Sequence, residues 1–195
     1  MFVAEGEDLV AAAVADPVDL LVAGKDVTPE ELAEVSTLAH APRVIGVYRR
    51  DDLPRGTRPV TLALWRVADP GNVGTLIRSA DGFGAGIALS PGCADPTGPK
   101  ALRASMGALF RVPIIEFDAA AGRRIALVPH GGTPLPELEL HGDIVFVLGA
   151  EREGLPPDVL ARCDVQASIP QDGESLNVAM AGTVALYELS RRSQK

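Results

Sequence analysis

Residues 69–86 read "DPGNVGTLIRSADGFGAG", a helical pattern closed by a run of glycines. The pattern predicts an amphipathic helix over residues 72–81, with Asn72 as its N-cap. Four apolar residues recur at the spacing of one helical face: Val73, Leu76, Ile77 and Ala80. Arg78 lies about 140° around the helix from Val73, so it is expected on a side that the core does not bury.

The glycines of this stretch raise the question of a nucleotide loop. A dinucleotide site has a GxGxxG sequence between a strand and the helix that follows it. Here "GFGAG" comes after the helix and before the next strand. We therefore expect these glycines to end the helix. Taken alone, Asn72 and Arg78 are explained at least as well by a helix cap and a surface arginine as by a functional role.

Strands and helices alternate on both sides of this stretch. Apolar runs predict strands over residues 60–67, 86–90, 112–117, 124–128, 143–149 and 166–170. Helices are predicted over residues 72–81, 99–110 and 156–163, with a last helix from about Ser175. This alternation predicts an α/β fold with a mostly parallel sheet, and ligands of such sheets bind beyond the carboxyl ends of the strands. The last helix is apolar almost all round, which favours a second subunit as its cover.

The first fifty residues predict a smaller α/β unit. A helix is expected over residues 5–15, strands over 19–24 and 43–49, and a second helix after Thr28. Thr28, Pro29 and Glu31 form the pattern of a capping box with proline at the first helical position. Residues 51–59 are polar and proline-containing and predict a linker. We therefore divide the chain into units 1–50 and 60–195.

Composition sets limits on the class of protein. The chain has 195 residues, 47% of them hydrophobic, and a net charge of −8. An acidic protein is not expected to present a broad nucleic-acid surface, yet a local basic patch is compatible with the sequence. Its candidate residues are Lys100, Arg103 and Arg111. The acidic start and the lack of a long apolar run favour a cytoplasmic protein, and the distant Cys93 and Cys163 predict neither a zinc site nor a disulfide.

Two later stretches repeat the arrangement of an apolar segment beside polar residues. Residues 146–156, "FVLGAEREGLP", run from a buried strand into Gly149 and Glu151. Residues 168–180, "SIPQDGESLNVAM", run from a proline turn into the last helix. With "DPGNVGTLIRSADGFGA", these stretches resemble, in the same order, the three motifs of the SpoU (TrmH-like) RNA methyltransferases of the SPOUT superfamily. The resemblance covers roughly residues 60–190.

The resemblance implies a fold and an activity. Members fold as an α/β domain with a C-terminal trefoil knot, and the short N-terminal unit is similar to their L30-like RNA-binding domain. They bind S-adenosyl-L-methionine, pair as homodimers through the knot region and methylate a ribose 2′-hydroxyl, usually without a metal. Cofactor-binding positions then fall on Pro129, Leu148, Gly149, Ile169 and Leu176. The functional polar positions fall on Asn72, Arg78, Glu151, Ser175 and Asn177, with Arg78 matching the arginine assigned to catalysis.

Several hypotheses stay open at this level. The leading one is a ribosomal-RNA 2′-O-methyltransferase, and the alternatives are a transfer-RNA enzyme or a non-catalytic RNA-binding module. A nucleotide-binding oxidoreductase is disfavoured because its fingerprint is missing. Arg78 has two candidate roles, because a guanidinium rarely gives up its proton. It either accepts the 2′-hydroxyl proton in a perturbing environment, or holds a phosphate and stabilises the developing alkoxide.

Overall fold

The computed structural model describes residues 1–193, so Gln194 and Lys195, the end of the 60–195 unit, lie outside the described residues. The ten strands are β1 Phe2–Glu5, β2 Asp19–Val22, β3 Val44–Tyr48, β4 Val60–Leu64, β5 Gly86–Leu89, β6 Ile114–Glu116, β7 Arg123–Leu127, β8 Thr133–Pro134, β9 Ile144–Leu148 and β10 Val165–Ser168. The α-helices are α1 Glu7–Ala12, α2 Pro29–Val35, α3 Pro70–Gly82, α4 Pro99–Ser105, α5 Pro157–Leu160 and α6 Val178–Ser193.

Seven strands form one sheet in the order β6-β5-β4-β9-β7-β10-β8. Each of its strand pairs is parallel, which confirms the predicted sheet type. The central β9 is buried at all five residues, as its unbroken apolar sequence requires when both faces of a sheet are covered. Because the strands are parallel, the segments after β7, β9 and β10 leave the sheet at the same edge.

Helix α3 begins earlier than the sequence predicted. Its N-cap is Asp69, whose carboxylate accepts the backbone N–H of Asn72 at 2.9 Å, so the assignment of Asn72 as N-cap was wrong. Pro70 fits the first helical position, where no N–H is needed. The glycine exit is confirmed: Gly84 has φ 68°, and the N–H of Ala85 returns to the carbonyl of Ala80 at 2.8 Å.

The N-terminal residues form a three-stranded antiparallel sheet in the order β1-β3-β2. The helix expected over residues 5–15 is shortened to Glu7–Ala12, because Glu5 pairs with Ile45 of β3 at one end and Ala13 has an extended backbone at the other. The capping box of α2 is confirmed, with the Glu31 N–H on the Thr28 hydroxyl at 3.2 Å and the Glu31 carboxylate on the Thr28 N–H at 2.8 Å. The Phe2 and Tyr48 rings pack on Phe110, so one core joins this sheet to the larger one.

Other boundaries also differ from the predicted ones, and three of them border the residues discussed below. The helix expected over residues 99–110 ends at Ser105, because Met106 and Gly107 both have positive φ. The last helix starts at Val178, three residues after Ser175. The strand expected over residues 60–67 ends at Leu64, and Arg66 beyond it has φ 54°.

Candidate functional site

A cavity of about 570 Å³ lies at the carboxyl edge of the large sheet. The segments that follow β7, β9 and β10 form its walls, and the start of α6 closes one side. It brings together eight residues that the sequence had singled out: Pro129, Leu148, Gly149, Glu151, Ile169, Ser175, Leu176 and Asn177. These residues span 49 positions of the chain, and the parallel sheet places them around one space.

The loop after β9 depends on two glycines. A Cβ at Gly149 would lie 2.3 Å from the carbonyl carbon of Gly154, so no other residue fits there without moving the backbone. Gly154 has φ 66°, and its N–H returns to the carbonyl of Ala150 at 2.9 Å. A glycine at the end of a strand can let a ligand approach the backbone closely. In the structure, the close neighbour is the loop itself, which folds back beside the cavity.

A chain of hydrogen bonds connects two residues of the cavity wall, Glu151 and Asn177, through Asn72, which does not itself line the cavity. The side-chain amide of Asn177 donates to Asn72 Oδ1 at 3.1 Å, and Asn72 Nδ2 donates to Glu151 Oε1 at 2.8 Å. Asn177 Oδ1 also accepts the N–H of Ala179 at 2.9 Å, which fixes it as the cap of α6. Asn72 is therefore oriented from both sides, and the second carboxylate oxygen of Glu151 has no hydrogen-bond partner within residues 1–193.

Arg78 is not part of this chain of hydrogen bonds. It is exposed on α3, does not line the cavity, and its guanidinium bonds to none of the described residues. Its neighbour Ser79 shares a hydrogen bond of 2.7 Å with Thr183 on α6. Ser175 is exposed on the cavity wall, and its hydroxyl likewise has no partner in the described part of the chain.

Helix α6 presents an apolar stripe to solvent. Met180, Val184 and Tyr187 are 50%, 37% and 57% exposed, and their spacing places them on one side of the helix. The opposite side is buried against α3 and β9, where Gly182 packs against Leu76. The helix is apolar almost all round, as predicted, but a single chain buries only the side that faces α3 and β9 and leaves the other apolar side exposed.

The three candidate RNA-binding cations differ in their surroundings. Lys100 forms an ion pair with Asp69 at 3.2 Å, and Arg111 forms one with Asp81 at 2.7 Å that raises the pKa of the guanidinium. Among residues 1–193, Arg103 has one long contact of 3.4 Å, to the Thr37 hydroxyl. Two of the three charges are therefore already compensated, which the spacing of the basic residues along the chain did not reveal.

Several apolar residues of the cavity were not predicted: Leu127, Val128, Leu155, Val178 and Ala181. The signal for them was available, since Leu127 and Val128 end a predicted strand, and Leu155 and Val178 lie within the second and third motifs. Within the described residues, no group of three or more His, Cys, Asp or Glu side chains is placed to hold a metal. None of the helices in residues 1–193 is long and apolar enough to cross a membrane.

Comparison with known proteins gives a consistent result. The model of the SpoU rRNA Methylase family matches residues 59–187. A putative RNA methyltransferase of the TrmH family from Porphyromonas gingivalis superposes with a TM-score of 0.86 at 30% identity, over 98% of this chain and 90% of that one. The SpoU methyltransferase AviRb from Streptomyces viridochromogenes, crystallised in complex with AdoMet, superposes with a TM-score of 0.85 at 26% identity, over 100% and 91% of the two chains.

Curated relatives extend this comparison. The 23S rRNA (guanosine(2553)-2′-O)-methyltransferase RlmP of Bacillus subtilis is 27% identical over 96% of this chain and 88% of its own length. Three others are 34–36% identical, but the chain spans only 50–66% of their lengths.

Proposed function

Because the chain belongs to the SpoU rRNA methylase family, we propose that it transfers a methyl group from S-adenosyl-L-methionine to a ribose 2′-hydroxyl of RNA. Ribosomal RNA is the favoured substrate, since a relative of which this chain covers 88% carries a 23S rRNA activity in its name. The observation that carries the proposal is that two of the three sequence motifs line one cavity, and Asn72 of the remaining motif hydrogen-bonds to Glu151 and Asn177 on its wall. Transfer RNA remains the alternative substrate.

The cavity suits the proposed cofactor. Its volume of about 570 Å³ falls in the range of roughly 300–1,000 Å³ that small-molecule sites occupy. Apolar walls from Leu148, Ile169 and Leu176 suit an adenine ring, and the backbone around Gly149 and Pro129 offers polar groups for its edge. When bound, S-adenosyl-L-methionine supplies a methyl group already activated by a positively charged sulfur.

The residues of this chain then have to align the 2′-oxygen and receive its proton as the new C–O bond forms. We assign the alignment to Asn72 and Asn177. Their side-chain amides are hydrogen-bonded to each other, and Asn177 is also held in place by the Ala179 N–H at the start of α6. The unpartnered oxygen of Glu151 faces the same site and accepts a hydrogen bond from the ribose. Ser175, on the cavity wall, contributes a hydroxyl to the cofactor or the ribose.

Arg78 is assigned to catalysis by the family resemblance, yet it lies outside the cavity of its own chain. A homodimer reconciles the two, because α6 exposes an apolar stripe on one side and packs with its other side against α3, the helix that carries Arg78. We propose that two chains pair through this stripe, and that Arg78 acts in the site of the partner. There it stabilises the developing alkoxide or holds a neighbouring phosphate, or accepts the proton if the partner lowers its basicity.

Other parts of the proposal rest on the resemblance alone. The N-terminal residues 1–50 would act as a short RNA-binding domain joined by the 51–59 linker, and the C-terminal segment would close a trefoil knot. Arg103 is the candidate of the basic group that keeps an uncompensated charge, whereas Lys100 and Arg111 would have to exchange their carboxylate partners for RNA phosphates. A ribosomal-RNA substrate places the protein in the cytoplasm.

The decisive experiment combines cofactor binding with product mapping. Calorimetry should show S-adenosyl-L-methionine binding to the purified protein, and RNA from cells lacking it should lose one 2′-O-methyl group. Arg78→Ala should abolish methylation while leaving cofactor affinity unchanged. Absence of cofactor binding by the folded protein would favour the non-catalytic RNA-binding module, and full turnover by Arg78→Ala would exclude both roles of Arg78.

A further inference from the structure

We propose that Arg66 and Arg152 bind a phosphate of the substrate RNA beside the methylated ribose. This inference rests on the proposed function, since it names the part of the RNA that meets the site. It concerns residues that lie outside the cofactor-binding and polar positions described above.

The two arginines line a second cavity that adjoins the first. This cavity has a volume of about 450 Å³, and the loop residues 150–153 border both spaces. Arg66 follows β4 and Arg152 lies in the loop after β9, and these two strands are neighbours in the sheet. Glu151 is shared by the two cavities, so a group bound between the arginines lies next to the Asn72–Glu151 hydrogen bond.

The backbone of Arg66 is held in an uncommon conformation. Its φ of 54° lies in the left-handed region, which costs a non-glycine residue energy and is concentrated at functional sites. Its N–H donates to the buried Ser90 hydroxyl at 2.9 Å, and its side-chain stem lies beside Gly92, with Cγ 3.5 Å from where a Cβ of that glycine would be. The surroundings thus hold the arginine in this conformation at the cavity.

Neither guanidinium is compensated by a protein carboxylate. Seven arginines and lysines of the described chain form ion pairs: Arg50, Arg55, Lys100, Arg111, Arg162, Arg191 and Arg192. Arg66 and Arg152 have no hydrogen bond or ion pair from their guanidinium groups to any residue in 1–193. In a protein of net charge −8, two uncompensated arginines on one cavity mark a place for an anion.

Three carboxylates also line this cavity, those of Asp69, Glu151 and Glu153, and the first of them is neutralised by an ion pair. Asp69 caps α3 and pairs with Lys100, and Glu151 accepts from Asn72. Glu153 is the remaining acid, and it has no partner among the described residues. A phosphodiester fits this arrangement, because it accepts charge-assisted hydrogen bonds from both arginines at once. The negative charge of Glu153 then repels the phosphate and weakens RNA binding. Removing that charge should therefore strengthen RNA binding, the opposite of the effect expected from removing either arginine.

The test measures RNA binding without cofactor. Arg66→Gly suits the left-handed backbone, and Arg152→Ala removes an exposed side chain, so both should fold normally. The control is Arg58→Ala, which loses the same charge at the opposite end of β4 from Arg66, two residues before the strand begins. The probe is unmodified 23S rRNA transcribed in vitro, with the dissociation constant measured by filter binding from 50 to 300 mM KCl.

We expect each site variant to bind this RNA about tenfold more weakly. The slope of log Kd against log salt should fall by about 0.7–0.9 for each lost phosphate contact. Glu153→Gln should bind more tightly, and Arg58→Ala should retain the affinity and slope of the wild type. Unchanged affinity and slope in both arginine variants would overturn the proposal, as would an equal loss in Arg58→Ala.

Calorimetry with S-adenosyl-L-methionine distinguishes the phosphate role of Arg152 from a role in cofactor binding, and a methylation assay tests the proposed activity separately. The arginine variants should bind the cofactor as the wild type does. A cofactor affinity that falls in Arg152→Ala while RNA affinity holds would assign Arg152 to the cofactor carboxylate and refute the phosphate role. If the wild type binds RNA with arginine-dependent salt sensitivity but never methylates it, the proposed activity fails while the phosphate site stands.

Discussion

Replacing Gly149 with alanine tests the physical basis of the cofactor cavity. The added methyl group would lie 2.3 Å from the carbonyl carbon of Gly154, 2.4 Å from its oxygen and 2.6 Å from the nitrogen of Leu155. All three atoms are backbone, and the Gly154–Ala150 hydrogen bond holds that backbone in place. The clash therefore cannot be relieved by turning a side chain, and the loop has to move.

The size of the effect follows from this geometry. Overpacking of this kind costs about 1–3 kcal/mol. For a chain of this length, that lowers Tm by roughly 2–12 °C. If the loop relaxes away from its binding geometry, the same free energy must be supplied when the cofactor binds. Affinity for S-adenosyl-L-methionine should then fall by about 5- to 150-fold.

Thermal denaturation and calorimetry measure the two effects on the same sample. Gly173→Ala is the matched control, because it lies in the turn before α6 and a Cβ there meets nothing within 4 Å. It should change Tm by less than about 1 °C and leave cofactor affinity unaltered. The reasoning is refuted if Gly149→Ala matches this control in both measurements. A lowered Tm with unchanged cofactor affinity would refute only the link between the loop and the binding site.

Three further predictions concern the polar site, the domain contact and the dimer. Asn72→Asp keeps the size of the side chain but sets a second carboxylate 2.8 Å from that of Glu151, so methylation should fall at least 100-fold with little change in Tm. The Arg50 guanidinium holds the pKa of Asp95 well below its ordinary value of 3.8, so their pair stabilises the fold above about pH 4 and loses this effect as acid protonates Asp95. Because both side chains are about half exposed, Arg50→Ala should cost less than about 1 kcal/mol at pH 7, and urea unfolding should show the difference shrinking below pH 4. Val184→Glu places a charge on the exposed stripe of α6, and light scattering should show a shift from a dimer to the 20.3 kDa monomer, whereas a dimer that survives would contradict the proposed interface.

Much of the local structure could be predicted from neighbouring residues alone. The capping box of α2, the glycine exit of α3 and the apolar run of β9 involve residues within a few positions of one another, where propensity and hydrogen bonding act directly. The strand β1 could not be predicted in this way. The helical pattern predicted at residues 5–15 begins with Glu5, which instead ends β1 and pairs with Ile45, about forty positions away in β3.

The sequence by itself determined the parallel α/β fold, the order of the three motifs and the residues from which a methyltransferase site could be built. Only the tertiary structure decided which of these residues meet. It joined Asn72, Glu151 and Asn177 into one chain of hydrogen bonds and left Arg78 outside it. It also showed which basic residues keep a free charge, because Arg111 lies beside Asp81 while Arg66 and Arg152 face a cavity. Charge compensation depends on distances across the fold, and the spacing of residues along the chain does not contain them.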